Sequence, residues 1–291
     1  MIGKSDRNMK YTLIVPVVAF ILVIAIFPLI FSIYMMLSIW APGTGGIKFV
    51  GLQNLKAISR DMRFWHALWL SYAYVAILLT LELGLGTMIA MVLQKEIKGK
   101  NFFRVSYMLP MLLSPVAVSY VFKMIFDFNR GPANHFLSWF HIPPVEWLSG
   151  RSSALLSLVI VDVWQWTPFM ILTILAAFEA LPEELFEAAV VDGGSQFTIF
   201  TRITLPLALP VIVTIVLLRT IDAFKVFDTI YILTGGGPGT ATELLNFYIY
   251  LKGFRAFDLG YGTAMSWMQL ILLIVMFMFF IRSMKRIGAL R

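Results

Sequence analysis

The chain has 291 residues, 59% of them hydrophobic and only 13% charged, with a mean hydropathy of +0.84. Those proportions exclude a soluble globular domain of this length and predict an integral membrane protein. The net charge of +7 comes with no basic patch interleaved with exposed aromatics, so nucleic-acid binding is not implied, and the lack of Cys removes disulfides, thiolate metal sites and Cys nucleophiles together.

A helix needs about 20 apolar residues to cross a bilayer, and runs of that length recur along the chain. Six are expected. The first, about residues 11–40, carries no charge and contains Pro16 and Pro28. Its basic lead of Lys4, Arg7 and Lys10 resembles that of a signal peptide, but the run is too long for a cleavable apolar core and reads as an uncleaved anchor. The second, about 67–93, carries only Glu82, and the third, about 105–126, is broken by Pro110 and Pro115. The fourth, about 154–178, holds Asp162; the fifth runs from about 205 to 220 and the sixth from about 262 to 281. The runs are continuous rather than alternating, so the expected fold is all-α, with six transmembrane helices in one transmembrane domain over residues 1–291. Within it the anchor is expected at about 11–40, core helices at about 67–283 and a polar loop at about 179–206.

Lys and Arg near span ends set orientation. The N-terminus, the link with Lys95, Lys98, Lys100 and Arg104, and the tail with Arg282, Lys285, Arg286 and Arg291 fall on one side, predicted to be the cytoplasm. The loop at 179–206 then also lies inside, yet it holds Glu179, Glu183, Glu184, Glu187 and Asp192 against a single Arg202. Orientation cannot account for that acidity. Pro182, Glu183 and Glu184 suit the start of a short helix, Gly193-Gly194 its end, and Ser195 the cap of a second helix leading to Pro206.

Between the fifth and sixth spans, "LTGGGPGT" (233–240) lacks the Lys-Ser/Thr of a phosphate loop and reads as a tight external turn. His66, His135 and His141 are scattered without metal-ligand spacing, and no hydrolase motif appears, so neither a catalytic nor a metal site is expected. Polar groups inside spans usually face a cavity or the bundle interior. Asp162 and Gln165, with Trp164 and Trp166 beside them, offer the mixture of aromatic surface and hydrogen-bonding groups that a sugar needs; the alternative is that the tryptophans pack against other spans. Arg219, Asp222, Lys225 and Asp228 recur every three residues, either as an intrahelical ion-pair ladder or with Asp222 or Lys225 touching solute.

The loop itself reads E-A-A, three residues, G, nine residues, I-x-L-P, at Glu187, Ala188, Ala189, Gly193, Ile203, Leu205 and Pro206. This resembles the signature of the membrane subunits of bacterial ATP-binding-cassette importers. "FKVFDTIYILTGGGPGTATE" (224–243), "FRAFDLGYGTAM" (254–265) and "LPMLLSPVAV" (109–118) are similar to carbohydrate-uptake permeases related to the maltose and lactose F-type subunit. The resemblance implies a multi-pass protein of the bacterial inner membrane, with both termini cytoplasmic. It implies a homologous second permease, two ATPase subunits that bind the ATP and Mg, and an external solute-binding protein as partners. It also makes Glu187, Ala188, Ala189, Asp192 and Gly193 the ATPase-coupling residues, with Glu187 pairing to a basic group there. The expected solute is a sugar, oligosaccharide or polyol; an importer of a glycerol-phosphate-like solute is the alternative, and an ion-coupled secondary transporter is the rival class, with Glu82 its isolated midspan acid.

Overall fold

A computed structural model describes residues 4–43, 45–94 and 99–286; of Lys4, Arg7, Lys10 and Lys100 it describes only the backbone, and Lys95, Lys98 and Arg291, used above for orientation, lie outside the described residues. In chain order come α1 (Lys4–Met36), a two-residue ladder of β1 (Ser38–Ile39) and β2 (Lys48–Phe49), α2 (Gln53–Arg60), α3 (Met62–Leu93), α4 (Lys100–Leu112), α5 (Pro115–Ile125), α6 (Pro132–Trp139) and α7 (Arg151–Glu179). Then follow α8 (Glu183–Val191), α9 (Gln196–Ile199), a widened π turn (Phe200–Thr204), α10 (Leu205–Phe224), α11 (Asp228–Leu233), α12 (Leu245–Tyr250), a second π turn (Leu251–Arg255) and α13 (Leu259–Arg286). The fold is all-α. Among the described residues five helical segments are long and apolar enough to cross a membrane: Tyr11–Met36, α3, α7, Gln196–Leu233 and α13. The helices of the third apolar run form a pair bent by 95°.

The bend corrects the reading of that run. Pro110 sits inside α4 without ending it, and the break falls instead at Leu113 and Ser114. Pro115 clashes with a helical conformation at the residue before it, and Ser114 is accordingly extended (φ −61°, ψ 132°). The freed Leu113 carbonyl accepts from Gln165 Nε2 at 3.0 Å, which allows irregular backbone at this depth.

Two compact units are distinguishable. One takes the residues up to 62 together with 249–273. In it the side chains of α1 from Tyr11 to Phe31 are exposed, as expected of a helix solvated by lipid. Its end is secured by polar contacts: Asn54 Nδ2 donates to the carbonyls of Met36 and Ser38, each at 2.9 Å, satisfying groups that a helix terminus leaves open. Ser38 pairs with Phe49 and Ile39 with Lys48, antiparallel. The start of α13 joins the same cluster through Leu259 N to Trp40 O (3.0 Å), Tyr261 Oη to Asp61 (2.7 Å) and Trp267 Nε1 to Ser32 Oγ (3.1 Å).

The other unit takes residues 63–248 and those from 274 onward. Its core lies among α3, α7 and α10, where Ala90, Met170, Ile174, Leu175, Ala208 and Ile212 are buried against one another. Gly86 sets the approach of α3 to α7: a Cβ there would come within 2.7 Å of Met170 Cβ and 3.3 Å of the Met170 carbonyl carbon, both attached to rigid backbone. Gly86→Leu is therefore expected to destabilise this unit by at least about 1–3 kcal/mol, the usual range for overpacking. Thermal unfolding of the purified protein in detergent measures it, and an unchanged midpoint would show that the two helices do not need this contact.

Candidate functional site

The polar residues of α7 and α10 meet in one cleft. On α7, Asp162, Gln165 and Trp166 occupy positions i, i+3 and i+4, which places them on one face. The end of α10 supplies Arg219 and Asp222, the following turn Lys225 to Phe227, the first turn of α11 Asp228 and Thr229, and Pro115 closes one wall. The cleft has a volume of about 250 Å³. It gathers Asp162, Gln165, Trp166, Asp222 and Lys225 from the expected solute pathway. Trp164 stands apart: it is 42% exposed and its ring meets Phe122 edge-on at 5.3 Å, as packing against a neighbouring helix would have it.

The expected four-residue ladder does not form. Arg219 turns inward, only 2% exposed, and its Nε and Nη2 donate to the two oxygens of Glu82 on α3, both at 2.8 Å. Nη2 also donates to Asp162 Oδ1, and the other Asp162 oxygen accepts from Tyr74 Oη at 3.1 Å. The Trp166 ring lies under the guanidinium, 5.3 Å from Cζ. Of the ladder only Asp222 and Lys225 pair, at 3.4 Å and near the surface, while Asp228 begins a separate helix. The physical reason is cost: a charge held inside a membrane bundle must be paired, and a bidentate carboxylate satisfies a guanidinium better than an exposed neighbour one turn away. Glu82 is thus not an isolated acid. Sequence reasoning missed this cluster, although one signal was present: Arg219 is a cation inside an apolar run, and Glu82 and Asp162 are the acids inside two others.

The acidic loop has a different character. α8 starts one residue later than expected, with Pro182 as the extended residue before it (φ −60°, ψ 130°) and Glu183 and Glu184 in its first turn. At its end Gly193 adopts φ 79°, a conformation other residues resist. Gly193 N then bonds Val190 O at 3.0 Å and Gly194 N bonds Ala189 O at 2.9 Å, the paired bonds of a Schellman ending. Ser195 Oγ accepts from Thr198 N at 3.2 Å and caps α9. Glu187, Ala188, Asp192 and Gly193 are exposed, and Ala189 is half-buried. Around them Val190, Val191 and Phe197 are 64%, 87% and 77% exposed. Carboxylates beside bare apolar side chains make a surface suited to a protein partner carrying both cations and apolar groups.

A polar cleft beside membrane spans and an exposed acidic loop are features that suit a transport component. Residues 82–289 match the family described as the binding-protein-dependent transport system inner membrane component, and the chain belongs to that family. It is 35% identical to the trehalose/maltose transport system permease protein MalF of Thermococcus litoralis, over 92% of this chain and 91% of that one. It is 32% identical to the trehalose transport system permease protein SugA of Mycobacterium tuberculosis, over 90% of this chain and 84% of that one. A chain of the bacterial alginate importer, solved in complex with its pentasaccharide-bound periplasmic protein, superposes with a TM-score of 0.85 over 97% of this chain and 96% of that one, at 21% identity. The chain is therefore an ABC-transporter permease subunit of an inner membrane, and such subunits are not enzymes.

Proposed function

We propose that the chain carries a sugar, an oligosaccharide or a polyol into the cytoplasm, and that the solute passes by the cleft between α7 and α10. The observation that carries this reading is the cleft's composition: Gln165, Asp222 and Lys225 offer donors and acceptors within a lining that also holds the Trp166 ring, on helices walled in by other spans. The relatives named as trehalose/maltose and trehalose permeases support the solute class.

In this reading the chain acts as one permease domain beside a homologous second permease, two ATPase subunits and an external solute-binding protein, with both its termini cytoplasmic. Glu187, Ala188, Ala189, Asp192 and Gly193 form the surface that an ATPase subunit grips. The Gly193 ending fixes the end of α8 and the Ser195 cap the start of α9, with one short turn between them, so force on α8 would pass toward α10 rather than being absorbed in a long loose loop. Closure of the ATPase pair on binding ATP and Mg would then turn the spans outward, and hydrolysis would let them return, an alternation of the access path. Transport assays on proteoliposomes test this. ATP-dependent uptake of a neutral disaccharide, seen only when both permeases, the ATPases and the binding protein are present, is the expected result. Uptake driven by an ion gradient in vesicles holding this chain alone would establish the rival secondary transporter instead.

A further inference from the structure

The charges at the cleft do not balance. Asp162, Asp222 and Asp228 line it beside Arg219 and Lys225, and Glu82 meets Arg219 from α3, which contributes no residue to the lining. Four carboxylates thus face two cations, and even a proton shared within the group would leave it acidic. A guanidinium is ordinarily the side chain best suited to receive an anion. Here Nε and Nη2 are committed to Glu82 and Asp162, and only Nη1 is left; among the described residues nothing accepts a hydrogen bond from it. Gln165 is similarly divided, its Nε2 held by the Leu113 carbonyl and its Oε1 left over. The part of that excess held by Glu82, Asp162 and Arg219 is buried and weakly screened, while Asp222, Lys225 and Asp228 stand at the exposed rim.

We propose that the cleft excludes anions, that its solute is an uncharged polyhydroxylated carbohydrate, and that Glu82 determines this specificity by acting through Arg219 without touching solute. The inference rests on the cleft being the solute's path. A hydroxyl both donates and accepts, so a neutral sugar satisfies Arg219 Nη1 with its oxygens and Gln165 Oε1, Asp222 and Asp228 with its protons. A phosphate, sulfonate or uronate brings acceptors and negative charge to a site whose guanidinium is already neutralised. The cleft thereby argues against glycerol phosphate, and against an acidic polysaccharide such as the alginate taken up by the structural neighbour.

The chain's lack of Cys makes the charge directly measurable. Val226→Cys places one thiol in the cleft lining, in the chain assembled with its transport partners in membranes. Modification rates for a cationic, a neutral and an anionic methanethiosulfonate reagent are followed by the mass of this chain, each divided by the rate with a small thiol in solution. The cationic rate is expected to exceed the anionic by about tenfold or more, within the range that focused charge produces. Glu82→Gln, and separately Asp228→Asn at the exposed rim, each lower that ratio severalfold. A ratio near one overturns anion exclusion while leaving the cleft as the path. No reaction with any reagent overturns the path itself, and the filter with it. A ratio that falls in Asp228→Asn but holds in a folded Glu82→Gln protein removes Glu82 from the proposal.

Discussion

Arg219→Met should cost about 3–5 kcal/mol of stability, the usual consequence of stripping one partner from a buried ion cluster. The substitution keeps much of the side-chain volume but leaves Glu82, fully buried, and Asp162, 4% exposed, facing each other without a cation. Most of the loss is the penalty of uncompensated charge rather than the worth of the bonds. The triple variant Glu82→Gln, Asp162→Asn, Arg219→Met should accordingly recover most of it, because no ion is then left stranded. Unfolding of the purified protein measures both. If the triple variant were as unstable as the single one, the cluster would matter through its shape and not its charge.

Glu187→Lys should abolish recovery of the ATPase subunit on co-purification, a loss of at least about tenfold, while the chain still inserts and unfolds at an unchanged temperature. The second half of that expectation follows from exposure: Glu187 stands on the outer face of α8, so reversing its charge disturbs no internal contact. The first half follows from electrostatic complementarity, since an acidic surface that selects a basic partner repels it once reversed. Full recovery of the ATPase with this variant would move the main contact to the apolar residues Val190, Val191 and Phe197.

These two sites were unequally visible in the sequence, for a physical reason. The ends of α8 and α9 are set by neighbours in the chain: acids in the first turn, a glycine where the backbone must turn left-handed, a serine that caps. Such local chemistry could be read almost to the residue, with only Pro182 displaced by one position. The apolar runs likewise announced the long helices, because length and hydropathy are properties of a segment alone. The cluster around Arg219 depends on pairing across 137 residues with Glu82 and 57 with Asp162, and periodicity within one helix carries no information about that. It suggested instead the ladder from Arg219 to Asp228, a sound local pattern that a stronger distant partner defeats. The same limit hid the pairing of Arg63 with Glu243, 180 residues apart. Pro110 misled in another way: a proline inside a helix is tolerated where neighbouring helices hold the chain, and the break went to the residue before Pro115.

The helical path from Gln196 through the π turn at Phe200–Thr204 to Phe224 has no coil in it. One end of that path adjoins the exposed loop, and near the other Arg219 is clamped to two further spans. A π turn absorbs one extra residue in a single widened turn, and the phase it leaves to α10 sets Arg219 toward Glu82. Deleting one residue there, such as Thr201, would let the turn close to the α pitch and keep Arg219 toward its partners, whereas deleting one from the regular helix that follows, such as Val211, would rotate Arg219 by about 100° relative to the loop. The angular phase of this helix, rather than its length, is what brings Arg219 to Glu82 and Asp162.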